Sequence, residues 1–322
     1  MPGRVVYFNG TFIPEHEARV SLFDSGLMYG DMAFEMTRTF NQQPFRLWEH
    51  LERLYGSMAI LEIDCGLTID EMEQATLETL ARNLESEDSD VDWHIRHDVS
   101  PGPLELYAST FPEGIRPTVI ISCWPLIKHM GRFAANYDAG VHVVTSTQRA
   151  IPANILDPHA KTRSRVHFQL AQVHARRLGK NAWPVLLDPD GFFTEGPSWN
   201  IFLVEGGTLL TPEPRNVLHG VSRAITMDAA ANLGIPVREM NIERAHALHA
   251  DEMFCTATSF GLVHAAHFDG QPVNGGQPGP VFQQLMTAWK DAVGLDFVAQ
   301  AKSYTPRIAA WEARELEAAR NR

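Results

Sequence analysis

His159-Ala160-Lys161-Thr162-Arg163-Ser164-Arg165 follows a run punctuated by two prolines, Ala150 to Pro158, and leads into an apolar-periodic segment, Arg165 to Leu178, that reads as a helix. Lys161 therefore falls near a loop-to-helix junction, where flanking structure can hold a side chain still. The chain has only five lysines, Lys128, Lys161, Lys180, Lys290 and Lys302, so the search for a working amine is short. Lys180 is expected to end a helix ahead of a strand, Lys290 to ride an amphipathic helix, Lys302 to lie in a polar tail, and Lys128 to sit in a loop beside His129 and Arg132. Most lysines are solvated surface groups, so the reading of Lys161 depends on the rest of the chain.

The length of 322 residues allows two domains, and 44% hydrophobic, 20% charged and 9% aromatic residues describe a folded globular chain. A net charge of -12 argues against a general nucleic-acid or acidic-membrane binder, because phosphate affinity rests on clustered Lys and Arg. Small molecules are the expected partners, without nucleic acid or membrane. No apolar run of about 18 residues is present, and Met1-Pro2-Gly3-Arg4 leads into a strand, so a cytoplasmic protein is expected. Cys65, Cys123 and Cys255 lack C-x-x-C spacing and read as buried thiols. Three histidine pairs at i, i+3 (His94/His97, His246/His249, His264/His267) lack the further ligands a metal needs, and no metal is expected.

From the start, Asn9-Gly10 between Val5–Phe8 and Thr11–Ile13 signals a hairpin. The Gly-containing loop Ser21 to Asp31 precedes an alternating strand, Ala33 to Phe40, and a helix with Leu47, Leu51, Leu54 and Met58 on one face carries Arg53 off its apolar centre. Thr68-x-x-Glu71 opens a second helix with a capping box, and the acidic run Glu85 to Asp90 reads as a solvated loop. Weak periodicity between Trp124 and Gly140 sets the domain boundary: a small domain 1–127, a connecting loop 128–140, a second domain 141–295 and a helical tail 296–322. Asp188-Pro189-Asp190-Gly191 and Gly206-Gly207 mark tight turns. The first turn of the helix after His219-Gly220, carrying Val221 and Ser222, presents unpartnered N–H groups to an anion, and Thr256 to Ser259 is a second candidate of phosphate size.

Together these segments resemble one family, the class IV aminotransferases, through Phe8-Asn9-Gly10, Tyr29-Gly30-Asp31, Phe34-Glu35, His50 to Leu54, Ala160-Lys161, Thr194-Glu195-Gly196, Asn200-Ile201-Phe202, Gly220 to Arg223, Asp269-Gly270 and Gly279-Pro280. The resemblance implies an α/β (α+β) fold of type IV, with a smaller N-terminal sandwich domain and a larger C-terminal pseudo-barrel. It implies pyridoxal 5'-phosphate as cofactor, Lys161 as the catalytic amine, and a homodimer or higher homo-oligomer. Arg53, Val221, Ser222 and Thr258 are then expected at the cofactor phosphate and Glu195 at its ring nitrogen. Arg165 stands near where branched-chain enzymes place a tyrosine on the phenolic oxygen.

Ser100-Pro101-Gly102-Pro103-Leu104 lacks the Arg and His of the D-amino acid carboxylate trap, and Phe34-Glu35-Met36 departs from the lyase pattern. His94-Ile95-Arg96 is similar to the Tyr-Ile-Arg of branched-chain enzymes. The expected substrate pocket is Arg96, Tyr29, Thr258 and Ser259 for carboxylates, with His94 replacing the tyrosine and Phe34, Trp124 and Phe260 as apolar wall. Arg96 is read as a buried guanidinium that needs an anionic partner. The expected reaction moves an amino group from an apolar, branched-chain-like amino acid donor to a 2-oxo acid acceptor such as 2-oxoglutarate. A D-amino acid or (R)-amine transaminase is the alternative, and aminodeoxychorismate lyase the remoter one.

Overall fold

The computed structural model describes residues 3–179 and 181–321, so Lys180 and the leading Met1-Pro2 lie outside the described residues. Contacts divide the chain into two compact units, one of Met1–Gly131, Ala160–Ser164 and Ser303–Arg322, the other of Arg132–His159 and Arg165–Lys302.

The first unit is built on six strands, β1 (Val5–Phe8), β2 (Thr11–Pro14), β3 (Ala33–Phe40), β4 (Gln43–Pro44), β5 (Trp93–Ser100) and β6 (Thr118–Pro125), in the order β2-β1-β6-β5-β3-β4. The β1-β2 hairpin forms as expected, with Asn9 and Gly10 both at positive φ, the conformation a two-residue turn of this hand requires. A short helix, α1 (Ser25–Met28), precedes β3, and α2 (Leu47–Ile60) and α3 (Ile69–Leu84) cover one sheet face. Leu47, Leu51, Leu54 and Met58 of α2 are buried with Met72 and Leu80 of α3 against Ala33, Ile95, Val99, Ile121 and Cys123 of the sheet. Thr68 and Glu71 close the capping box at the start of α3.

The other sheet face is set by register: Phe34, Met36 and Arg38 lie opposite Asp98, Arg96 and His94, which lie opposite Ile120, Ser122 and Trp124. Alternation in β3 does not separate wet from dry, because every residue but Met36 is buried. The unit is completed by two later pieces of chain. Lys161 to Arg163 runs along the free edge of β3: the Phe34 N–H donates to the Lys161 carbonyl at 2.9 Å, the Arg163 N–H donates to the Met32 carbonyl at 2.9 Å, and Ala33 bridges Thr162.

The region 128–140, expected as a loop, is helical: α4 (Ile127–Phe133) and α5 (Ala135–Ala139) occupy it, with Ile127, Met130 and Phe133 buried at helical spacing. Lys128 accordingly sits on α4, paired with Glu312.

The second unit holds β7 (Val141–Arg149), α6 (Val166–Ala175), β8 (Ala182–Leu187), β9 (Asn200–Glu205), β10 (Thr208–Pro212), α7 (Val221–Asn232), β11 (Val237–Met240), α8 (Arg244–His249), β12 (Glu252–Ala257), β13 (Gly261–Phe268), β14 (Gln271–Pro272) and α9 (Pro280–Val293). Its sheet runs β11-β10-β9-β12-β13-β7-β8, with β14 paired to β13. Phe193 links the two ends, bridging Leu187 at the end of β8 and donating its N–H to the Ile242 carbonyl just past β11. The sheet therefore curls back on itself. The Asp188-Pro189-Asp190-Gly191 turn forms with Gly191 at φ 93° and the Asp188 carboxylate accepting the Phe192 N–H.

The tail is helical, as α10 (Phe297–Tyr304) and α11 (Ile308–Arg320), and Lys302 pairs from α10 with Asp138. The acidic run is not simply solvated. Arg307 pairs with Asp88 and Asp90, while Glu87, nearly buried, accepts the Trp311 indole N–H at 2.8 Å and Arg314 at 2.5 Å. No helix among the described residues is long and apolar enough to cross a membrane. All three cysteines are free and buried, as expected.

Candidate active site

In the first unit the lysine segment is gripped on two sides. The backbone N–H of Lys161 donates to the Ser57 hydroxyl at 3.0 Å, and that hydroxyl donates to the Arg53 carbonyl at 2.8 Å. The Thr162 and Ser164 hydroxyls each donate to the Gly30 carbonyl at 3.2 Å. Gly30 has φ 73°, and a Cβ there would meet the Ser164 Oγ at 2.9 Å, so this approach needs glycine on both counts. The amine of Lys161 stands 4.9 Å from the centre of the Phe34 ring.

Beside it lies a charge network that local sequence patterns do not disclose. Glu35, fully buried on β3, accepts Arg53 Nε at 2.8 Å and Arg53 Nη2 at 2.6 Å, with His50 Nδ1 3.1 Å away. A carboxylate with two arginine N–H groups on it is a strong charge-assisted pair. Burial works to raise the Glu35 carboxyl, but Arg53 and His50 outweigh it and hold it well below the ordinary carboxylate range. Burial also lowers His50, reinforced by Arg53 and Lys161, against the pull of Glu35. The helix neighbours Glu49 and Glu52 are the counter-ions that sequence spacing offers Arg53; its counter-ion is Glu35 instead, while Glu49 pairs with Arg46.

Several residues expected in the substrate pocket share the outer face of this sheet, though not as anticipated. Arg96 is not a buried guanidinium: its side chain is 48% exposed and its Nε is 2.8 Å from Asp98 on its own strand. The reason is positional, since i and i+2 on a strand lie on one face. His94 packs against His129, and burial, with His129 and Arg38 adding to it, holds it well below the ordinary histidine range. Trp124 lies between the Arg4 guanidinium, 3.9 Å from its ring centre, and the edge of Trp311 on α11. Tyr29 is exposed on the loop that Asp24 ties down: the buried Asp24 carboxylate accepts the Gly26 N–H at 2.8 Å and the hydroxyls of Ser100 at 2.8 Å and Thr118 at 2.6 Å.

In the second unit, Glu195 follows the tight turn after β8, and the Asn200 amide donates to its Oε2 at 3.2 Å and to the Leu218 carbonyl at 3.2 Å. Arg165 donates to the Pro197 carbonyl in the same bend and stacks on Phe168. Gly196 lies under Trp199, where a Cβ would come within 2.0 Å of the indole, and Gly220 lies against Asn200, where a Cβ would come within 2.2 Å of Oδ1. Gly220 is the N-cap of α7 and offers no side-chain cap, so Val221 and Ser222 open the helix with N–H groups available to an anion. Thr258 and Ser259 form the turn between β12 and β13, half-buried. Phe260 is buried in an aromatic cluster, stacked on Phe133 at 4.9 Å and edge-on to Trp183 at 5.5 Å.

The first unit thus holds a lysine beside an aromatic ring and a buried arginine-carboxylate pair, and the second a capless helix N-terminus and a held carboxylate. The chain belongs to the class IV aminotransferases, whose family model matches residues 32–268. It is an aminotransferase of the two-sheet α/β fold shared by its solved relatives. It is 34% identical over 288 residues to a putative branched-chain-amino-acid aminotransferase of Methanocaldococcus jannaschii, covering 89% of this chain and 95% of that protein. It is 29% identical over 290 residues to the branched-chain-amino-acid aminotransferase of Escherichia coli K12, covering 88% and 91%. Among solved structures, the branched-chain amino acid aminotransferase of Thermobaculum terrenum in its PLP form superposes with a TM-score of 0.78 at 25% identity, covering 94% of this chain and 97% of that one.

Proposed function

We propose that the protein is a pyridoxal 5'-phosphate-dependent branched-chain amino acid transaminase, passing the amino group of an apolar amino acid to a 2-oxo acid such as 2-oxoglutarate. The observation that carries the reading is Lys161, fixed through Ser57 and Gly30 with its amine over Phe34, in a chain of the class IV family. The relatives named above are branched-chain enzymes, which favours this donor class over D-amino acids or (R)-amines and over lyase chemistry. The donor set fits the cofactor: an amine, an arginine, a held carboxylate and open helix N–H groups.

When bound, the cofactor supplies an electron sink for cleavage of the substrate's Cα–H bond. Lys161 would hold it through its amine and would move the proton at the substrate's Cα. Glu195 keeps the ring nitrogen protonated, and the Asn200 amide orients Glu195 for that task. Val221, Ser222 and Thr258 take the phosphate, joined by Arg53, whose fork is aimed by Glu35. Arg165 takes the phenolic oxygen. Tyr29, Phe34, His94, Arg96, Trp124 and Ser259 line the substrate side.

Lys161→Ala is expected to abolish the visible absorbance of lysine-bound pyridoxal phosphate and to lower turnover by more than about a thousandfold, while Lys290→Ala, altering a half-buried lysine paired with Asp296, keeps both. A normal spectrum in the Lys161 variant overturns the assignment. We further propose a cytoplasmic homodimer. Val20, Leu22, Leu27, Met28, Tyr29 and Leu106 expose an apolar surface on neighbouring segments of the first unit, joined where Phe23 stacks on Tyr107 at 4.2 Å. Sedimentation at assay concentration should give twice the chain mass; a fully active monomer contradicts it.

A further inference from the structure

The C-terminal helix α11 reaches back to the first sheet at Trp124. The edge of Trp311 lies on the Trp124 ring, with centroids 6.1 Å apart and planes at 72°. Trp311 is itself buried and locked, donating its indole N–H to Glu87 at 2.8 Å. The Arg4 guanidinium lies 3.9 Å from the Trp124 ring centre; Glu315, also on α11, is 2.8 Å from its Nη1, and Glu15 is 3.0 Å from its Nη2. A cation held by two carboxylates against an indole has little freedom to leave it. Trp124 is thus fixed by one residue of α11 directly and by another through Arg4.

Trp124 shares the outer face of the sheet with Phe34. It stands four residues after Ile120 on β6, and Ile120 pairs through Asp98 of β5 with Phe34 of β3, so alternation puts both rings on one side. They are two rows apart, about 13 Å at strand spacing. The Lys161 amine is at the Phe34 end. At the other end Trp124 stays 42% exposed although Arg4 and Trp311 press on it, which leaves apolar surface for a ligand. A short apolar side chain whose Cα is held near the amine ends before the indole, and a longer one meets it. Arg4 and α11 both lie outside residues 32–268, the part of the chain that the family model covers.

We propose that Trp311 is a positioning residue and that α11, by clamping Trp124, sets a preference for longer over shorter apolar amino donors. The inference rests on the transaminase reading, with Trp124 on the substrate side. An apolar contact far from the reacting carbon is as strong in the ground state as in the transition state, so loosening it raises KM and spares kcat.

The test uses the holoenzyme with 2-oxoglutarate as acceptor and two straight-chain donors, L-norleucine and L-2-aminobutyrate, with near-ultraviolet circular dichroism of the same samples. Trp311→Ala should raise KM for norleucine about tenfold at unchanged kcat, leave 2-aminobutyrate within about twofold, and remove an indole dichroism band that Trp124→Phe also removes. Trp311→Phe, which keeps a ring edge on Trp124, should restore most of the norleucine KM. Glu315→Gln, which weakens one side of the hold on Arg4, should raise it less and in the same direction. An equal fall in kcat/KM for both donors makes Trp311 merely structural and overturns the proposal, as does an unchanged ratio or a Trp311→Phe that behaves like Trp311→Ala. If Trp311→Ala does not fold, an unchanged donor ratio in Glu315→Gln overturns it. If the wild-type enzyme turns over neither donor, the transaminase reading fails. A dichroism band lost in both Trp124→Phe and Trp311→Ala would then still uphold the clamp, and independent bands would overturn it.

Discussion

The two units prepare their candidate site residues by different physics. In the first, charged side chains hold one another: Glu35 fixes Arg53 and His50, and Asp98 fixes Arg96 and Arg163. In the second, backbone and shape do the work: Gly196 admits Trp199, Gly220 admits Asn200, and α7 begins without a side-chain cap. The first arrangement is sensitive to charge and pH, the second to added volume. A single scan of conservative substitutions should tell the two apart.

The largest effect on stability is expected at Glu35. Glu35→Gln keeps the shape but leaves Arg53 and its burial uncompensated, and breaking one side of a buried pair costs about 3 kcal/mol. Denaturant unfolding at neutral pH should show this loss. The pH dependence has a definite sign: a carboxyl depressed in the folded state stabilises above its ordinary pKa and loses that contribution as pH falls through the folded value. The gap between wild type and Glu35→Gln should therefore narrow as pH drops below the ordinary carboxylate range. A gap that stays constant into acid would show that Glu35 acts through packing alone.

A smaller effect is expected at Gly220. In Gly220→Ala the new methyl meets the Asn200 amide oxygen, and overpacking of this kind costs about 1–2 kcal/mol. With Glu195 in its proposed place, displacement of Asn200 should also lower cofactor affinity about tenfold, read by equilibrium titration of absorbance. Unchanged affinity would mean that Asn200 has room to move and that shape is not what holds this end of the site.

The difference also explains what can be read in the sequence. Local rules suffice for the β1-β2 hairpin at Asn9-Gly10, the Leu47–Met58 stripe of α2 and the Thr68–Glu71 capping box, because each is decided within a few residues. Ser222 and Gly220 are legible as a helix start for the same reason. Arg163 is not, since its partner Asp98 is 65 residues away and the edge-strand conformation that aims it is imposed by β3. The K-x-R spacing is the available signal, and it has meaning only in an extended segment. Glu35 stands in a recognisable motif, yet nothing local says that its strand is buried on both faces. The acidic run reads as solvated because Arg307, Trp311 and Arg314 come more than 200 residues later. Short helices α4 and α5 read as loop because the spacing of Ile127, Met130 and Phe133 spans barely two turns.

That late arrival of α11 has a consequence for biosynthesis. The first unit takes its sheet from early chain, the Lys161 segment from the middle and its clasp on the acidic run from residues 303–320. During translation the β1 to β6 sheet must wait, with Glu87 and Trp124 unclasped, while the entire second unit leaves the ribosome. Contacts this distant in sequence also slow folding in free solution. The N-terminal sheet is therefore the first made and the last finished.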